Sequence, residues 1–378
     1  MHIHEIEPFI VNLPLDKPLP RSSVRPETTQ LASYLVRLTA DDGSHGWGEA
    51  WIADEANFSS AADRLEELLI GQHVLDRALL WDRMAAVAAG KTAKNSGPDG
   101  PRDYYAVLSA IDTALWDLAG KSLQTSVARL LGGVRSRLLD TYVTGLYLEA
   151  PAELVRKAEQ IVKRGFHAIK MKLGGNPDED IHAVAAVRKA LGNQIVLMAD
   201  ANGAYDDYDD ALRVGIALGK RDIYWFEEPF PAGRWDDYAA LCNALQPPLA
   251  GGETLFGITP FHHALQKRAF HIIMPDVRLC GGITAAYFIG RLASLYEVRL
   301  SLHSWISPVA LMAAANISAA LPFCDRLELE GSQVAIMQQM FDDPPQFDDG
   351  FLRFEDRVGL GFDISEKFLQ EYATALRN

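Results

Sequence analysis

Short apolar runs recur along the second half of the chain, and each ends at or next to an ionisable residue. The runs lie at 141–148, 168–172, 196–200, 223–227, 249–253, 272–276, 299–303 and 326–330. Their spacing of about 25 residues matches one strand, one return helix and two short loops, because a parallel crossover takes a dozen or more residues. Eight such units close a barrel whose interior side chains can fill. The pattern therefore predicts an α/β fold built on a (β/α)8 barrel.

The first third of the chain does not share this repeat. Two strand-like segments joined by a polar loop at 15–26 predict a strand pair, and a turn within 41–50 leads into a third strand. From residue 61 to about 132 the apolar positions follow helical spacing, so we predict an α+β domain at 1–132 and the barrel at 133–343. The segment 344–378 contains no further barrel unit, and we expect it to return to the first domain.

Composition limits the classes of partner. Of the 378 residues 48% are hydrophobic, and no apolar run approaches the roughly 20 residues that span a bilayer. The N-terminal residues lack the layout of a signal peptide, so we expect a cytoplasmic protein with no membrane partner. The net charge of −14 argues against nucleic acid, which requires clustered cations. That charge is compatible with carboxylates gathered around a divalent cation.

Lys170 and Lys172 are separated by one residue, so both point to the same face of a strand. Two neighbouring ammonium groups lower each other's pKa, which is one way a lysine becomes a base near neutral pH. The alternative is a solvated strand face, which the apolar residues around the two lysines make less favourable. The pair is therefore a candidate for proton abstraction.

Asp200, Glu227 and Glu253 end three successive runs. Because the strand ends of a closed barrel converge on one rim, three carboxylates in this position suit a hard cation such as Mg²⁺. Each residue alone could instead cap a helix or form a salt bridge, but that explanation would have to recur three times. Glu228 points to the opposite face from Glu227, so only one of these two acids can be a ligand.

Asp276 and His303 end the next two runs. A carboxylate beside a histidine fixes the imidazole tautomer and raises the basicity of its other nitrogen. A single histidine is more often a hydrogen-bonded core residue, but its register with the other candidates favours a general acid or base here.

The combination of these motifs resembles the enolase superfamily, and within it the mandelate racemase subgroup. The resemblance covers nearly the whole chain and rests on the order and spacing of several short segments. These are 112–117 (DTALWD), 130–133 (LLGG), 170–172 (KMK), 200–203 (DANG), 225–229 (WFEEP), 252–253 (GE), 275–276 (PD), 281–282 (GG) and 359–361 (GLG). The muconate-lactonizing subgroup carries a lysine near the position of Asp276, so the resemblance is to the mandelate racemase subgroup.

The resemblance implies a role for each candidate. Asp200, Glu227 and Glu253 are similar to the ligands of one Mg²⁺ per subunit, for which Mn²⁺ could substitute. Lys172 resembles the base that removes the proton α to a carboxylate, and Lys170 the neighbour that contacts that carboxylate. The remaining residues are expected on the opposite face, with Asp276 and His303 as a dyad and Glu328, or alternatively Glu330, hydrogen-bonding the enediolate.

The resemblance also implies a barrel of modified (β/α)7β form, closed by a capping domain that the C-terminal segment completes. The capping domain is expected to select the substrate, and the family favours a homo-oligomer. The matching candidates for substrate binding are Arg21, Arg25 and Trp51, together with Tyr147 and Asn202 at the barrel rim. Whether the loop around Arg21 covers its own barrel or a neighbour's is left open.

Two reactions on a small carboxylate substrate share one first step. If His303 protonates a departing β-hydroxyl, the enzyme dehydrates a sugar acid to a 2-keto-3-deoxy acid. If His303 reprotonates the α-carbon, it racemises or epimerises a 2-hydroxy acid. Dehydration is the favoured prediction, because Arg21 and Arg25 suit a polyhydroxylated or dianionic substrate and the resemblance implies acid-sugar dehydration as the commoner activity. The alternative for the two arginines is that they are solvated loop charges. A noncatalytic metal-binding barrel remains a distant alternative, as does a metal hydrolase, which would offer several histidines.

Overall fold

The computed structural model describes residues 1–23, 25–90 and 101–376. The predicted helical region at 61–132 includes residues 91–100, which lie outside that description. Three N-terminal strands form an antiparallel sheet: β1 (Ile3–Leu19), β2 (Thr28–Ala40) and β3 (His45–Ala50). Four helices follow: α1 (Glu55–Leu69), α2 (Arg77–Ala89), α3 (Pro101–Ser122) and α4 (Val127–Leu130).

The first strand is longer than the sequence pattern predicted. The polar loop was expected to begin at residue 15, but β1 continues to Leu19, which pairs with Thr28 after a register shift beyond Pro14. Leu19 is buried, and its contribution to the core explains why the backbone stays in the sheet. The connecting loop is therefore restricted to residues 20–27.

The N-terminal sheet has two apolar faces. Ile6, Ile10 and Val36 pack with α1 and α3 in one core, whereas Phe9 and Leu35 belong to the core of the barrel. A Cβ atom on Gly48 would lie 1.9 Å from the carbonyl oxygen of Ala110, so only glycine lets β3 approach α3 this closely. The sheet is thus sandwiched between its own helices and the barrel.

The eight predicted barrel strands are present. They are β4 (Leu138–Leu146), β5 (Ala168–Lys172), β6 (Val196–Asp200), β7 (Phe226–Glu227), β8 (Leu249–Gly251), β9 (Ile272–Ile273), β10 (Arg299–Leu300) and β11 (Leu327–Glu330). Consecutive strands from β4 to β10 pair in parallel, and β11 pairs with β4. Between β10 and β11 the link is a bridge from Leu300 to Cys324, next to which Asp325 N donates to Leu300 O at 2.6 Å.

A helix follows each barrel strand, as the spacing predicts. They are α5 (Pro151–Lys163), α6 (Pro177–Leu191), α7 (Tyr208–Gly219), α8 (Trp235–Ala244), α9 (Thr259–Gln266), α10 (Gly282–Leu295), α11 (Pro308–Ala320) and α12 (Gln333–Met340). Asn176 caps the N-terminus of α6, and Gly192 ends it with a φ of 68°. In the described part of the chain, no helix is both long enough and apolar enough to cross a membrane.

The C-terminal segment contributes to both parts of the fold. A hairpin of β12 (Gln346–Asp348) and β13 (Phe351–Arg353) extends the barrel by pairing with β4. After α13 (Glu366–Tyr372), strand β14 (Ala373–Ala375) pairs with β1. The N-terminal sheet, called here the capping sheet, therefore has the strand order β14-β1-β2-β3 and is completed by the tail. The predicted domain boundaries at 132/133 and 343/344 remain predictions.

Candidate active site

Five charged side chains meet where strands β5 to β8 end. The parallel register places Lys172 beside Asp200 and Asp200 beside Glu227. Lys170 lies on the same face of β5 as Lys172, and Glu253 follows β8 by two residues. All five side chains are buried. The convergence predicted from the spacing of the runs is therefore present at one end of the barrel.

Asp200, Glu227 and Glu253, called here the acid triad, have ligand atoms within 4.8 Å of one another. Burial and the charge of Asp200 raise the pKa of Glu227 well above its ordinary value. Among the described residues, Glu253 Oε2 has no hydrogen-bond partner. His303 Nε2 lies 3.2 Å from it but without hydrogen-bond alignment. Three crowded carboxylates with an unsatisfied oxygen fit a divalent cation such as Mg²⁺.

Asn202, predicted to bind substrate, borders the acid triad. Its backbone is left-handed with a φ of 47°, and its backbone N donates to Asp200 Oδ1 at 2.9 Å. Its side-chain Nδ2 donates to Glu253 Oε1 at 3.2 Å, while Oδ1 is buried and unpaired among the described residues. Asn202 thus orients two triad members and leaves an acceptor for another group.

Two aromatic residues to which the sequence assigned no role support the site, Trp225 through the acid triad and Tyr142 through Lys170. Trp225 Nε1 donates to Glu227 Oε2 at 2.9 Å, and Lys170 Nζ donates to Glu227 Oε1 at 2.8 Å. The ring of Tyr142 lies beneath Lys170, 5.4 Å from Nζ. Trp225 could have been identified, because it lies two residues before Glu227 and so shares its face of the strand.

The two lysines do not have the lowered pKa values that were predicted. Burial lowers the pKa of Lys172, and so does Lys170, but the contact with Asp200 and the other triad charges outweigh both and raise it. The pKa of Lys170 is raised well above its ordinary value, since Glu227 and Glu328 outweigh the effect of burial. The prediction of a lowered pKa is wrong for this arrangement, because carboxylates pair directly with both ammonium groups.

Asp276 and His303 form the predicted pair. They face each other across a parallel bridge, with 2.6 Å between Asp276 Oδ2 and His303 Nδ1. Burial alone would lower the pKa of His303, but Glu253, Glu328 and Asp276 raise it from 6.5 to about 9. His303 therefore lies at the Glu253 end of the acid triad, whereas Lys172 contacts Asp200 at the other end.

The structure distinguishes Glu328 from Glu330. Glu328 Oε1 accepts a hydrogen bond from Thr144 Oγ1 and contacts Lys170 Nζ at 3.0 Å, and its Oε2 lies 3.5 Å from His303 Nε2. Glu330 instead bonds Ser332 and Tyr147. Burial would raise the pKa of Glu328, but Lys170 lowers it well below its ordinary value. The lowered pKa favours the ionised form of Glu328. To donate a hydrogen bond to the enediolate, as expected from the resemblance, Glu328 would have to be protonated.

The described residues of the loop at 20–27 contact the barrel of the same chain. Ser23 Oγ donates to Ala201 O at 3.1 Å, and Leu148 N donates to Arg21 O at 3.3 Å. Arg21 lines a groove of about 440 Å³ that Tyr147 and Lys172 also line. In a single chain these contacts are internal, and the contacts of the loop in an oligomer stay a prediction.

Arg25 and Tyr147 lie in the cover of the site. The Arg25 guanidinium donates to Pro20 O, Pro26 O and Thr28 Oγ1 and packs over the rings of Tyr147 and Trp305. Tyr147 is buried, and its hydroxyl accepts a hydrogen bond from Trp305 Nε1 at 3.1 Å. These donors of Arg25 are therefore used within its own loop, and its role in binding substrate stays a prediction.

Trp51 joins the capping sheet to the candidate acid. Its indole stacks on the imidazole of His303. Behind it lies a cavity of about 160 Å³, called here the Trp51 cavity, between the capping sheet, α11, α12 and α13. Its walls are mostly apolar and include Trp51, Trp305, Glu49, Arg278 and Ser307. Of the described residues around it, Arg278 is the only cation, and it is paired with Asp276 at 2.6 Å.

Comparison with known proteins identifies both parts of the chain. Residues 153–368 match the family described as enolase C-terminal domain-like. Residues 6–132 match the N-terminal domain of the mandelate racemase and muconate lactonizing enzyme family.

Three relatives illustrate the range of similar proteins. The chain is 31% identical to D-galactarolactone cycloisomerase from Agrobacterium fabrum, over 98% of this chain and 99% of that protein. It is 31% identical to arabinonate dehydratase from Saccharolobus solfataricus, over 89% of each chain. A crystal structure of a racemase from Streptomyces coelicolor with bound magnesium superposes with a TM-score of 0.87 at 26% identity, over 98% of this chain and all of that one.

Proposed function

The chain belongs to the mandelate racemase and muconate lactonizing enzyme family of the enolase superfamily, and on that premise we propose that it dehydrates a sugar acid. In the proposed reaction a proton is removed α to the carboxylate, the β-hydroxyl leaves as water, and the product is a 2-keto-3-deoxy acid. The placement of Lys172 and His303 at opposite ends of one acid triad supports the α-proton removal and the later protonation, and Arg21 in the groove beside Lys172 favours dehydration over racemisation.

Asp200, Glu227 and Glu253 would hold Mg²⁺, the cofactor of this family. When bound, the cation stabilises the second negative charge that develops on the substrate carboxylate as the α-proton leaves. The unsatisfied oxygen of Glu253 and the free acceptor of Asn202 support this assignment.

The protein side chains carry the proton transfers. Lys172 Nζ takes the α-proton, so it must first lose its own proton, and Lys170 hydrogen-bonds the substrate carboxylate. His303 then donates the proton on Nε2 to the β-oxygen as the carbon–oxygen bond breaks, and the resulting enol tautomerises to the 2-keto acid. Asp276 holds the Nδ1 hydrogen and so fixes the tautomer in which Nε2 faces the site.

The names of the relatives favour elimination of a β-oxygen. Of the three compared proteins, one is named a dehydratase of arabinonate, one a cycloisomerase of D-galactarolactone and one a racemase, so two of the three names specify a sugar acid or its lactone as substrate. Arg21 in the groove that Lys172 also lines supports a polyhydroxylated substrate that reaches from the barrel toward the covering loop. Racemisation uses the same two side chains and differs only in the atom that His303 protonates.

A second candidate is cycloisomerisation of a sugar lactone or anhydro-sugar acid. The ring oxygen attached to the β-carbon would then be the leaving group. The ring would open as His303 donates a proton to this oxygen. The specific observation in its favour is the Trp51 cavity, whose two indoles and apolar walls suit a compact ring better than an extended charged chain.

A panel of sugar acids, lactones and anhydro-sugar acids tests these alternatives with the Mg²⁺-loaded protein. We expect 2-keto acid formation from one stereochemical series, together with incorporation of deuterium from D₂O. Polarimetry without 2-keto acid formation would instead identify a racemase or epimerase. Absence of both exchange and product across the panel, in protein that binds Mg²⁺, would contradict the proposal.

A further inference from the structure

A buried arginine contacts the candidate dyad from behind. Arg278 lies in the loop after β9, two residues beyond Asp276, and its side chain is 7% exposed. Its Nε donates to Asp276 Oδ1 at 3.0 Å and its Nη2 to Oδ2 at 2.6 Å, while its backbone N donates to Oδ1 at 2.7 Å. The sequence reasoning assigned no role to this residue.

This pairing fixes the plane of the carboxylate. A carboxylate bonded only to an imidazole can rotate about its Cβ–Cγ bond, whereas two parallel bonds to a planar guanidinium remove that freedom. Asp276 Oδ2 is the atom that also bonds His303 Nδ1, so the guanidinium and the imidazole share one oxygen. The direction in which His303 points is therefore set through Asp276 by Arg278.

The other end of the guanidinium faces the capping sheet. Arg278 Nη1 lies 3.7 Å from Oε1 of Glu49, which is buried on β3, and Glu49 Oε2 accepts a hydrogen bond from Ser307 at the start of α11. The backbone also takes part, because Trp51 N donates to Arg278 O at 3.2 Å. A continuous buried chain thus runs from Glu49 through Arg278 and Asp276 to His303.

The charges of this chain depend on Arg278. Glu49 and Asp276 are two buried carboxylates, and a buried charge that loses its partner is strongly unfavourable. Burial would raise the pKa of Asp276, but Arg278, followed by His303, lowers it to about 2. If Arg278 only joined the capping sheet to the barrel, we would expect its closest and best-aligned hydrogen bonds to be with Glu49 on the capping sheet. Instead the bidentate contact is made with Asp276.

We propose that Arg278 is a positioning residue for the acid half of the reaction, and that Glu49 holds Arg278 from the capping sheet. The acid side of the site is then complete only when the capping sheet is docked on the barrel. This inference rests on the proposed function in one respect, namely that His303 acts after Lys172. It assigns no contact with substrate to either Arg278 or Glu49.

The test compares the two half-reactions in Arg278→Lys, Arg278→Gln and Glu49→Gln. Arg299→Lys serves as the matched control, because it alters another Arg–Asp pair, with Asp325, in β10 away from the site. We expect Arg278→Gln to lower product formation by about 10- to 100-fold, the scale usual for residues that orient a site. Exchange of the α-proton in D₂O, which depends on Lys172, should stay within about threefold of wild type, and Arg278→Lys and Glu49→Gln should give intermediate losses.

Parallel loss of exchange and product would indicate general damage and would overturn the proposal, as would unchanged product formation in Arg278→Gln. Calorimetric Mg²⁺ titration of each variant shows whether the acid triad is intact.

A substrate-free measurement separates this inference from the proposed function. In ¹⁵N-histidine-labelled, Mg²⁺-loaded protein, the Nδ1–H resonance of His303 is assigned by its absence in His303→Asn. We expect Arg278→Gln to move this resonance and to speed its exchange with solvent, whereas Arg299→Lys leaves it unchanged. An unaltered resonance in Arg278→Gln would reject the positioning role, even if no tested sugar acid is a substrate.

Discussion

The indole of Trp51 lies on the imidazole of His303, with ring centroids 5.4 Å apart and 24° between the planes. One ring comes from the end of the capping sheet and the other from the barrel, so the candidate acid is shielded from solvent by a residue outside the barrel. An aromatic contact of this kind contributes about 0.5–1.5 kcal/mol beyond its buried area.

Trp51→Ala should therefore lower kcat/KM by about 3- to 10-fold or more, and Trp51→Phe should retain most of the activity because a ring still covers His303. Steady-state kinetics on the substrate found in the panel measures both variants. Trp235→Phe, on the distant helix α8, is the control for loss of an indole. Equal activity of Trp51→Ala and wild type would show that the stacking has no part in turnover.

Replacing the proposed base and the proposed acid in turn should separate α-proton exchange from product formation. Lys172→Ala removes the group that accepts the α-proton, so we expect α-proton exchange in D₂O to fall by at least about 100-fold. His303→Asn should retain exchange but form little product. Proton NMR of the substrate after incubation in D₂O follows both. Persistence of full exchange in Lys172→Ala would identify a different base.

The acid triad should bind Mg²⁺ in the absence of substrate. Glu253→Gln removes a charge from the member with an unsatisfied oxygen, so we expect at least about 10-fold weaker binding by calorimetry. Mg²⁺ at 100 times its Kd should stabilise wild type by about 2.7 kcal/mol and raise its Tm. Asp206→Asn, in the exposed acidic turn before α7, is the control. If this variant weakened binding as much as Glu253→Gln, the cation would lie elsewhere.

The raised pKa of His303 predicts a pH-dependent stability in metal-free protein. A base whose pKa rises from 6.5 to about 9 on folding contributes stability that is fully present below pH 6.5 and is lost as the pH rises through 9. The contribution is on the order of 3–4 kcal/mol at most. Denaturant unfolding of wild type and His303→Asn at pH 6 and pH 9.5 measures it. The difference between the two proteins should shrink at the higher pH, and a constant difference would contradict the assignment.

The contact of β3 with α3 should tolerate no side chain at Gly48. Gly48→Ala places a Cβ against the backbone of Ala110, and overpacking of this kind costs about 1–3 kcal/mol or more. Gly90→Ala is the matched control, since the nearest atom to its added Cβ is 3.6 Å away. Thermal unfolding compares the two variants. A Tm for Gly48→Ala equal to that of the control would show that β3 can shift away from α3.

The barrel could be predicted because its period is local. One strand and one helix use about 25 residues wherever they occur, and strand ends in a closed barrel lie on one rim, so Asp200, Glu227 and Glu253 could be grouped from the sequence. The extension of β1 to Leu19 could not, because it depends on burial of one leucine against residues distant in sequence.

The pKa values of the site residues were harder to predict from the sequence than which residues lie in the site. The spacing of Lys170 and Lys172 revealed that they share a face, but their pKa values depend on carboxylates a few ångströms away. The roles of Arg278 and Glu49 could not be predicted for a related reason, since their contacts form only where the capping sheet packs on the barrel. The distinction between Glu328 and Glu330 likewise rests on contacts with Thr144 and Tyr147.

Strand β14 has a consequence for how the chain folds during synthesis. It pairs with β1, matching Ala375 with Phe9, so one edge of the first sheet is made of residues that leave the ribosome after all eight barrel strands. Pairings between such distant segments form slowly. A nascent chain would therefore hold a sheet with an open edge while the barrel assembles, and the later emergence of β14 would be the event that covers this edge.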